Sequence, residues 1–431
     1  MIAPMQIASL GDKIARWTLV ALVAAVPFAV VPASWATIVQ SKLLLAAILV
    51  GLVVICYVIA RIAQGIFVVP RDAIFYAAFL LPVAYLASAI LSGATADSYA
   101  SGLGVQDTVS SMTLLFATLA LIAILFAGGL RNVTLVFLAF LAGCSAVLLF
   151  QIARLFAPSW LTLGGALPGS ASSLFGSWHD LGTLAALMVF FAIALFNAPF
   201  FNKRISKIFL PLIGVLGFAV TFVVALPDIW YALFALLMLF SLYAWLTRGH
   251  EEVQARAAAR RSIAAFVVGI LALVSGFAGH YVYTHLPSPF QISQTEVRPS
   301  WTGTFEIGER VFSGSGSLFG TGPNNFQDAW GKWKPTGINE TAFWSTDFNQ
   351  GVGLVPTSFV TAGILGILAW LALAFAVAIH LVRFLRSERH GRALHAAIFG
   401  GGEHDQETLG VDADGRKAPL FQVGLSIGQV P

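Results

Sequence analysis

The fold is decided by residues 287–354, which read PSPFQISQTEVRPSWTGTFEIGERVFSGSGSLFGTGPNNFQDAWGKWKPTGINETAFWSTDFNQGVGL and form a long polar segment with an apolar run of membrane-spanning length on each side. Its tryptophans, Trp301, Trp330, Trp333 and Trp344, stand among glycines, amides and a few charged residues. Large aromatic side chains are costly to leave in water. The segment is therefore predicted to fold and to pack against a membrane domain.

Outside this segment the chain is dominated by apolar residues. Of its 431 residues, 58% are hydrophobic and only 10% are charged, against roughly 25% charged residues in a typical soluble domain. Apolar runs long enough to cross a bilayer as helices fall near residues 17–34, 43–60, 73–92, 112–129, 132–153, 180–200, 208–226, 229–247, 262–283 and 355–382. We expect an all-α, polytopic transmembrane bundle of about ten spans with one large folded extracytoplasmic loop.

The expected organisation has four parts. Residues 1–286 form transmembrane helices 1 to 9 with short loops, 287–354 the large extracytoplasmic loop, 355–385 the last transmembrane helix and 386–431 a polar, disordered cytoplasmic tail. Orientation follows from Lys and Arg, which are enriched in cytoplasmic loops. With both termini in the cytoplasm, the basic residues left outside are Lys42, Arg154, Arg298, Arg310, Lys332 and Lys334.

The composition excludes several classes of function. Charged residues are absent from the middle of the predicted spans, with Asp180 and Asp228 at the outer ends of theirs. Ion-coupled transporters usually carry ionisable groups near the midplane, so a proton- or sodium-driven pump is disfavoured. Cys56 and Cys144 lie in apolar runs, and no metal site is readable. The chain has a net charge of +4. We attribute this charge to the Lys and Arg residues that set the orientation in the membrane, so no nucleic-acid partner is expected.

Two parts of the polar loop are candidates for binding a ligand. The guanidinium of Arg298 offers a fork of donors suited to phosphate oxygens, and Trp301 can stack on it or on a sugar ring; the alternative is a structural pair that ties the loop down. Residues 320–326, GTGPNNF, predict a tight turn into a helix. The exposed amides of such a turn, at Gly320, Gly322 and Asn325, either bind an anion or simply cap the helix.

Two side chains are candidates for proton transfer. Asp347, near the end of the loop, is suited to deprotonating a sugar hydroxyl, although a solvated or ion-paired carboxylate is the alternative. His179 stands beside Asp180 at the outer start of a middle helix, where an imidazole can exchange protons near neutral pH. Helix capping by Asp180 and interfacial anchoring by Trp178 explain the same stretch equally well.

Together, these local patterns resemble the O-antigen ligase and O-antigen polymerase superfamily of multi-span bacterial inner-membrane enzymes. The motifs that carry the resemblance are Phe175-Gly176-Ser177-Trp178-His179-Asp180, the early loop arginine Arg298, Gly320-Thr321-Gly322-Pro323-Asn324-Asn325-Phe326 and Gly363-Ile364-Leu365-Gly366. The remaining likeness is one of topology, with a large extracytoplasmic loop before a late helix. The resemblance implies a multi-pass protein of the bacterial cytoplasmic membrane, in contact with membrane lipids.

The resemblance also implies an activity. A polyprenyl-diphosphate-linked glycan is transferred to, or polymerised on, a glycan or lipid-glycan acceptor at the outer membrane face, in lipopolysaccharide or related envelope polysaccharide synthesis, with no metal or other cofactor. The leaving diphosphate develops negative charge. The residues expected to stabilise that charge are Arg298, Arg154, Arg310 and Lys334.

One departure from the family pattern bears on the catalytic base. Family members carry a histidine shortly before the late helix, whereas this chain has none between His285 and His380. Either Asp347 replaces it or His179 or His285 is brought in from elsewhere. Two other functions remain as alternatives, a flippase or transporter of the lipid-linked glycan and a catalytically inactive, ligase-like assembly partner.

Overall fold

The structure is a computed structural model that describes residues 4–100, 106–126, 130–167, 169, 171–196, 204–247, 252–285, 287, 290–292, 299–314, 316–341, 343–398 and 420–424. Within these residues the α-helices are α1 (Pro4–Ala25), α2 (Ile38–Gln64), α3 (Ala73–Leu91), α4 (Val109–Leu125), α5 (Leu130–Phe156), α6 (Trp178–Ala194), α7 (Leu210–Val224), α8 (Pro227–Leu246), α9 (Glu252–Thr284), α10 (Trp301–Phe312), α11 (Phe326–Trp333), α12 (Leu354–Thr361) and α13 (Gly363–Ile398). A short antiparallel pair joins β1 (Ile66–Pro70) to β2 (Leu420–Gly424).

Membrane-spanning helices make up most of this architecture. In the described part of the chain, seven helices are long and apolar enough to cross a membrane: α2, α3, α5, α7 with the π-helical turn before it, α8, α9 and α13. The helices α4 and α6 are apolar but shorter. The chain therefore has the architecture of a multi-pass α-helical membrane protein.

The helices pack in two groups. Helices α5 to α9 surround the largest core, in which Leu181, Met188 and Trp230 are fully buried. Helix α1 packs along α2 and against α4, and α3 packs along α13. The two groups meet where α1 contacts α5. The polar segment after α9 contributes α10 and α11, which lie against α12.

The first helix differs from the expected span at 17–34. Helix α1 runs from Pro4 to Ala25 and ends before a 3₁₀ turn that contains Pro27, a residue that cannot continue a helical hydrogen-bond ladder. Asp12 thus lies inside α1, where both of its carboxylate oxygens accept from Nη2 of Arg61 in α2. The apolar run begins only after Asp12, Lys13 and Arg16, and the partner on α2 makes the charge of Asp12 tolerable within the helix.

The last span also differs from expectation. The predicted helix at 355–382 is interrupted at Ala362, between α12 and α13. Gly363 adopts a left-handed backbone conformation, with φ of 61°, which a residue without a side chain adopts at no steric cost. The tail expected to be disordered from residue 386 begins instead with the end of α13, and it also contributes β2.

Candidate functional site

The polar segment has a hydrophobic core of its own. Ile307 and Val311 of α10, Phe326 and Trp330 of α11 and Val360 of α12 are buried together. The Trp330 ring packs edge-on against Phe348, with 4.7 Å between ring centroids, and its indole N–H donates to a backbone carbonyl at 3.1 Å. Trp330 thus helps to fold the segment onto α12, next to the helix interruption.

Backbone groups of the polar segment form hydrogen bonds with the N–H and carbonyl groups that lose their helical partners at the interruption. The hydrogen bonds run from the N–H of Thr321 to the carbonyl of Val360 (3.0 Å), from Gly322 to Thr361 (2.9 Å), from Ile364 to Ser317 (3.1 Å) and from Leu365 to Leu318 (3.3 Å). In a continuous α-helix, the N–H of Ile364 would bind the carbonyl of Val360, and that of Leu365 the carbonyl of Thr361. The segment has therefore replaced two internal helix bonds with four of its own.

The glycine turn at residues 320–325 is fully engaged inside the protein. Its N–H groups donate as follows: Gly320 to Gly316 (2.7 Å), Thr321 to Val360, Gly322 to Thr361, Asn324 to the Asp107 carboxylate (3.2 Å) and Asn325 to Gly322 (3.2 Å). The Asn325 amide donates to Thr321 at 2.9 Å. The groups at Gly320, Gly322 and Asn325 considered for anion binding are thus occupied by protein acceptors, and the turn fastens the loop to the helix interruption.

A buried carboxylic acid lies behind this turn. Asp107 is 2% exposed, and its Oδ2 accepts the hydrogen bond from Asn324 while its Oδ1 has no hydrogen-bond partner in the described part of the chain. Burial raises the pKa of Asp107 above its ordinary value of 3.8, and Thr361, the Asn324 N–H and Tyr85 offset part of this effect. The site therefore favours a carboxyl group that holds its proton to a higher pH.

Other buried polar atoms surround Asp107. The Tyr85 hydroxyl faces Asp107, Ser358 and Trp370. Yet the Tyr85 hydroxyl and the Trp370 indole N–H both lack a hydrogen bond of normal geometry to any described residue. Such groups are rarely left unpaired in folded proteins. Together with Asp107 they form what we call the Asp107 cluster.

Sequence reasoning did not identify Asp107. The loop that contains it, residues 92–111, carries no Lys or Arg, so an acid there lacks a cationic partner within the loop. The contacts that bury Asp107 come from residues far along the chain, such as Asn324 and Thr361.

Replacing Asp107 with Asn tests its raised pKa. The folded state binds the Asp107 proton more tightly than the unfolded state does. The contribution of this proton to the unfolding free energy is therefore fully present below about pH 4 and is lost as pH rises through the raised pKa. We expect the unfolding free energy of Asp107→Asn, measured in mixed micelles, to fall less with rising pH than that of the wild type. Asp97→Asn, which changes an exposed carboxylate in the same loop, should keep the wild-type pH dependence. Parallel curves for Asp107→Asn and the wild type would contradict the prediction.

His179 has a carboxylate partner from a different helix. Its Nε2 lies 2.8 Å from Oδ2 of Asp228, so the pair joins the first turn of α6 to the first turn of α8. Asp180, the neighbour noted in the sequence, instead forms a capping box with Ser177. The His179 side chain is 24% exposed. A solvent-accessible imidazole oriented by a carboxylate is the arrangement of a general base and its orienting group.

The candidate cations differ in what they contact. Arg154 is buried at the end of α5 and donates to the backbone carbonyls of Ser172, Leu167 (3.0 Å) and Gly169 (2.5 Å). Lys334 donates to the carbonyl of Trp344 at 2.5 Å, and Arg310 is exposed in the last turn of α10. Arg154 and Lys334 therefore hold loops in place, whereas Arg310 faces solvent.

The remaining candidates lie on the surface of the polar segment or outside the described residues. Trp301 is 59% exposed at the start of α10 and stacks on Phe305, with 5.8 Å between ring centroids. Asp347 is exposed. Arg298 lies outside the described residues; before it, Ile292 packs in the core of α5 to α9, and after it, α10 begins.

The structure thus places the predicted residues in separate regions. Gly320, Gly322 and Asn325 meet at the helix interruption, whereas Arg154 and His179 bound the loop between α5 and α6. In the described part of the chain, no three His, Cys, Asp or Glu side chains lie close enough together to hold a metal ion.

Comparison with known proteins adds no relative. No family profile, no curated protein and no solved structure matches the chain. The fold and the sites therefore define the class, a multi-pass α-helical membrane protein with a docked polar segment.

Proposed function

We propose that the chain transfers or polymerises a polyprenyl-diphosphate-linked glycan on a glycan or lipid-glycan acceptor at the outer face of a bacterial cytoplasmic membrane. The observation that supports this most is the 2.8 Å contact between His179 and Asp228. Sugar transfer from a diphosphate requires a base for the acceptor hydroxyl. The pair stands at the helix ends that the distribution of basic residues assigns to the outer face.

The contact with Asp228 sets the tautomer of His179. With Nε2–H donating to the carboxylate, the Nδ1 lone pair is the proton acceptor. In the proposed step, Nδ1 takes the proton of the acceptor hydroxyl as its oxygen bonds to the anomeric carbon. The bond from that carbon to the diphosphate oxygen breaks, and polyprenyl diphosphate leaves with the electron pair.

The other residues have distinct proposed roles. Arg298 binds the diphosphate and stabilises its developing charge. Arg310, exposed on α10, is available for the same anion, and the exposed ring of Trp301 offers a stacking surface for a sugar. Arg154 and Lys334, already bonded to carbonyls, position loops. His179 is preferred over Asp347 as the base because a carboxylate orients it.

The test follows release of polyprenyl diphosphate by purified protein in liposomes containing a polyprenyl-diphosphate oligosaccharide and envelope acceptors. We expect acceptor-dependent release by the wild type and a fall of about 10²-fold or more for Arg298→Ala, since a charge-stabilising donor is lost. The control is Lys332→Ala, which removes an exposed cation of α11 and should release product at the wild-type rate.

Two results would overturn the proposal. Protein-dependent movement of the intact donor between leaflets, without release, would identify a flippase. Neither release nor movement with any acceptor would leave a non-catalytic assembly partner.

A further inference from the structure

A partly open cavity of about 870 Å³ lies between α6, α7 and α9, with Pro287 and Phe290 beside it. We call it the α6–α9 groove. Its apolar walls include Val189, Phe218, Phe222 and Val268. The volume falls within the range of cavities that bind small molecules, about 300–1,000 Å³. Neither His179 nor Asp228 lines the groove, and the proposed reaction does not use it.

Arg261 is the one charged residue among the described residues that line the groove. Its Nε is buried, with no hydrogen-bond partner in the part of the chain that the structure describes. A cationic group at a membrane-embedded apolar surface is costly unless an anion or polar group accompanies it. The groove therefore has one guanidinium group, with an unpaired Nε, beside its apolar walls.

The positions along α9 give the groove a polar end and an apolar end. Arg261 lies near the start of the membrane-spanning part of α9, Ala255–Gly279, and Leu271 lines the groove further along the same helix. At 1.5 Å per residue, these two positions are about 15 Å apart. A cation followed by a long apolar wall is complementary to an amphiphile with an anionic head and a hydrocarbon chain.

We infer that the α6–α9 groove binds one acyl chain of an anionic phospholipid whose phosphate pairs with Arg261. The guanidinium fork matches phosphate oxygens, and basic pockets between transmembrane helices on the cytoplasmic side bind anionic head groups. The distribution of Lys and Arg assigns this end of α9 to the cytoplasmic side. Pro287 and Phe290 extend the lining toward the outer end of α9, but a head group at Arg261 lies in the leaflet opposite the proposed glycan transfer, so an ordinary bilayer lipid fits better than the polyprenyl-linked donor.

Lipid binding to detergent-solubilised protein, counted by native mass spectrometry, tests this site. We expect the wild type to retain one phosphatidylglycerol in preference to phosphatidylcholine, and Arg261→Gln to weaken phosphatidylglycerol binding at least about fivefold. The matched control is Arg260→Gln, which changes the exposed neighbouring arginine on the same helix and should bind like the wild type.

A second variant keeps the test informative where Arg261→Gln fails to fold. Ala264→Phe adds bulk to the groove wall and leaves Arg261 in place, so it should displace the acyl chain and reduce lipid retention. Equal retention of the two phospholipids by the wild type, or equal losses in Arg260→Gln and Arg261→Gln, would refute the site. Preferential retention of polyprenyl phosphate over phosphatidylglycerol would refute the assignment to a phospholipid.

Discussion

His179→Gln is expected to lower acceptor-dependent release of polyprenyl diphosphate by about 10²- to 10⁴-fold, the usual contribution of a positioned general base. Glutamine keeps a polar side chain near Asp228 but cannot take up a proton at neutral pH. The loss should therefore fall on kcat rather than on KM. Asp228→Asn should lose less, because it disturbs the orientation of the imidazole and keeps the base itself.

The chain offers a matched control for this prediction. His380 of α13 lies 3.5 Å from Asp72 in a second histidine–carboxylate pair, which the predicted topology places on the cytoplasmic side. His380→Gln should release product at the wild-type rate. If His179→Gln remained fully active while Asp347→Asn was inactive, the base would be Asp347, and the role proposed for His179 would be wrong.

Gly320→Ala is expected to destabilise the protein by about 2–5 kcal/mol, the largest stability change among our predictions. Gly320 has φ of 69°, a left-handed conformation that costs alanine about 1–2 kcal/mol. An added Cβ would lie 2.4 Å from the carbonyl carbon and oxygen of Thr361. Backbone on both sides must then shift, at a further cost of about 1–3 kcal/mol.

The measurement is the unfolding free energy in mixed micelles, with Gly331→Ala as the control. Gly331 lies in α11, and a Cβ added there would meet no atom within 4 Å. Alanine is favoured over glycine in a helix, so this variant should be unchanged or more stable by about 0.5–1 kcal/mol. Similar stabilities for Gly320→Ala and the wild type would show that the turn does not hold the loop to the helix interruption.

Sequence patterns were sufficient to locate the long apolar helices, because a span depends on a local run of residues that every such helix must carry. The interruption at Ala362 was not predicted. Residues 355–382 carry no Asp, Glu, Lys or Arg, and the groups that replace the missing helix bonds, such as Thr321 and Ser317, belong to the preceding polar segment. A helix broken by a distant partner has no complete local signal.

In the candidate sites too, local features were predicted from the sequence and long-range contacts were not. The sequence singled out His179 as a titratable residue at a helix start, but it did not pair His179 with Asp228, since the pairing depends on how α6 packs against α8. Asp107 is a more extreme example. An aspartate in a polar loop is usually exposed, whereas the docked glycine turn, together with Tyr85 and Thr361, surrounds this one.

The replaced hydrogen bonds have a consequence for biogenesis. Translation delivers residues 316–322 before α12 and α13, yet those residues can engage the last helix only after it has been made. Before that docking, an unbroken helix satisfies these groups internally. The N–H of Ile364 binds the carbonyl of Val360, and the N–H of Leu365 binds the carbonyl of Thr361. The last span is therefore expected to leave the insertion machinery as an unbroken helix and to become interrupted later, so that the interruption marks a chain whose assembly is complete.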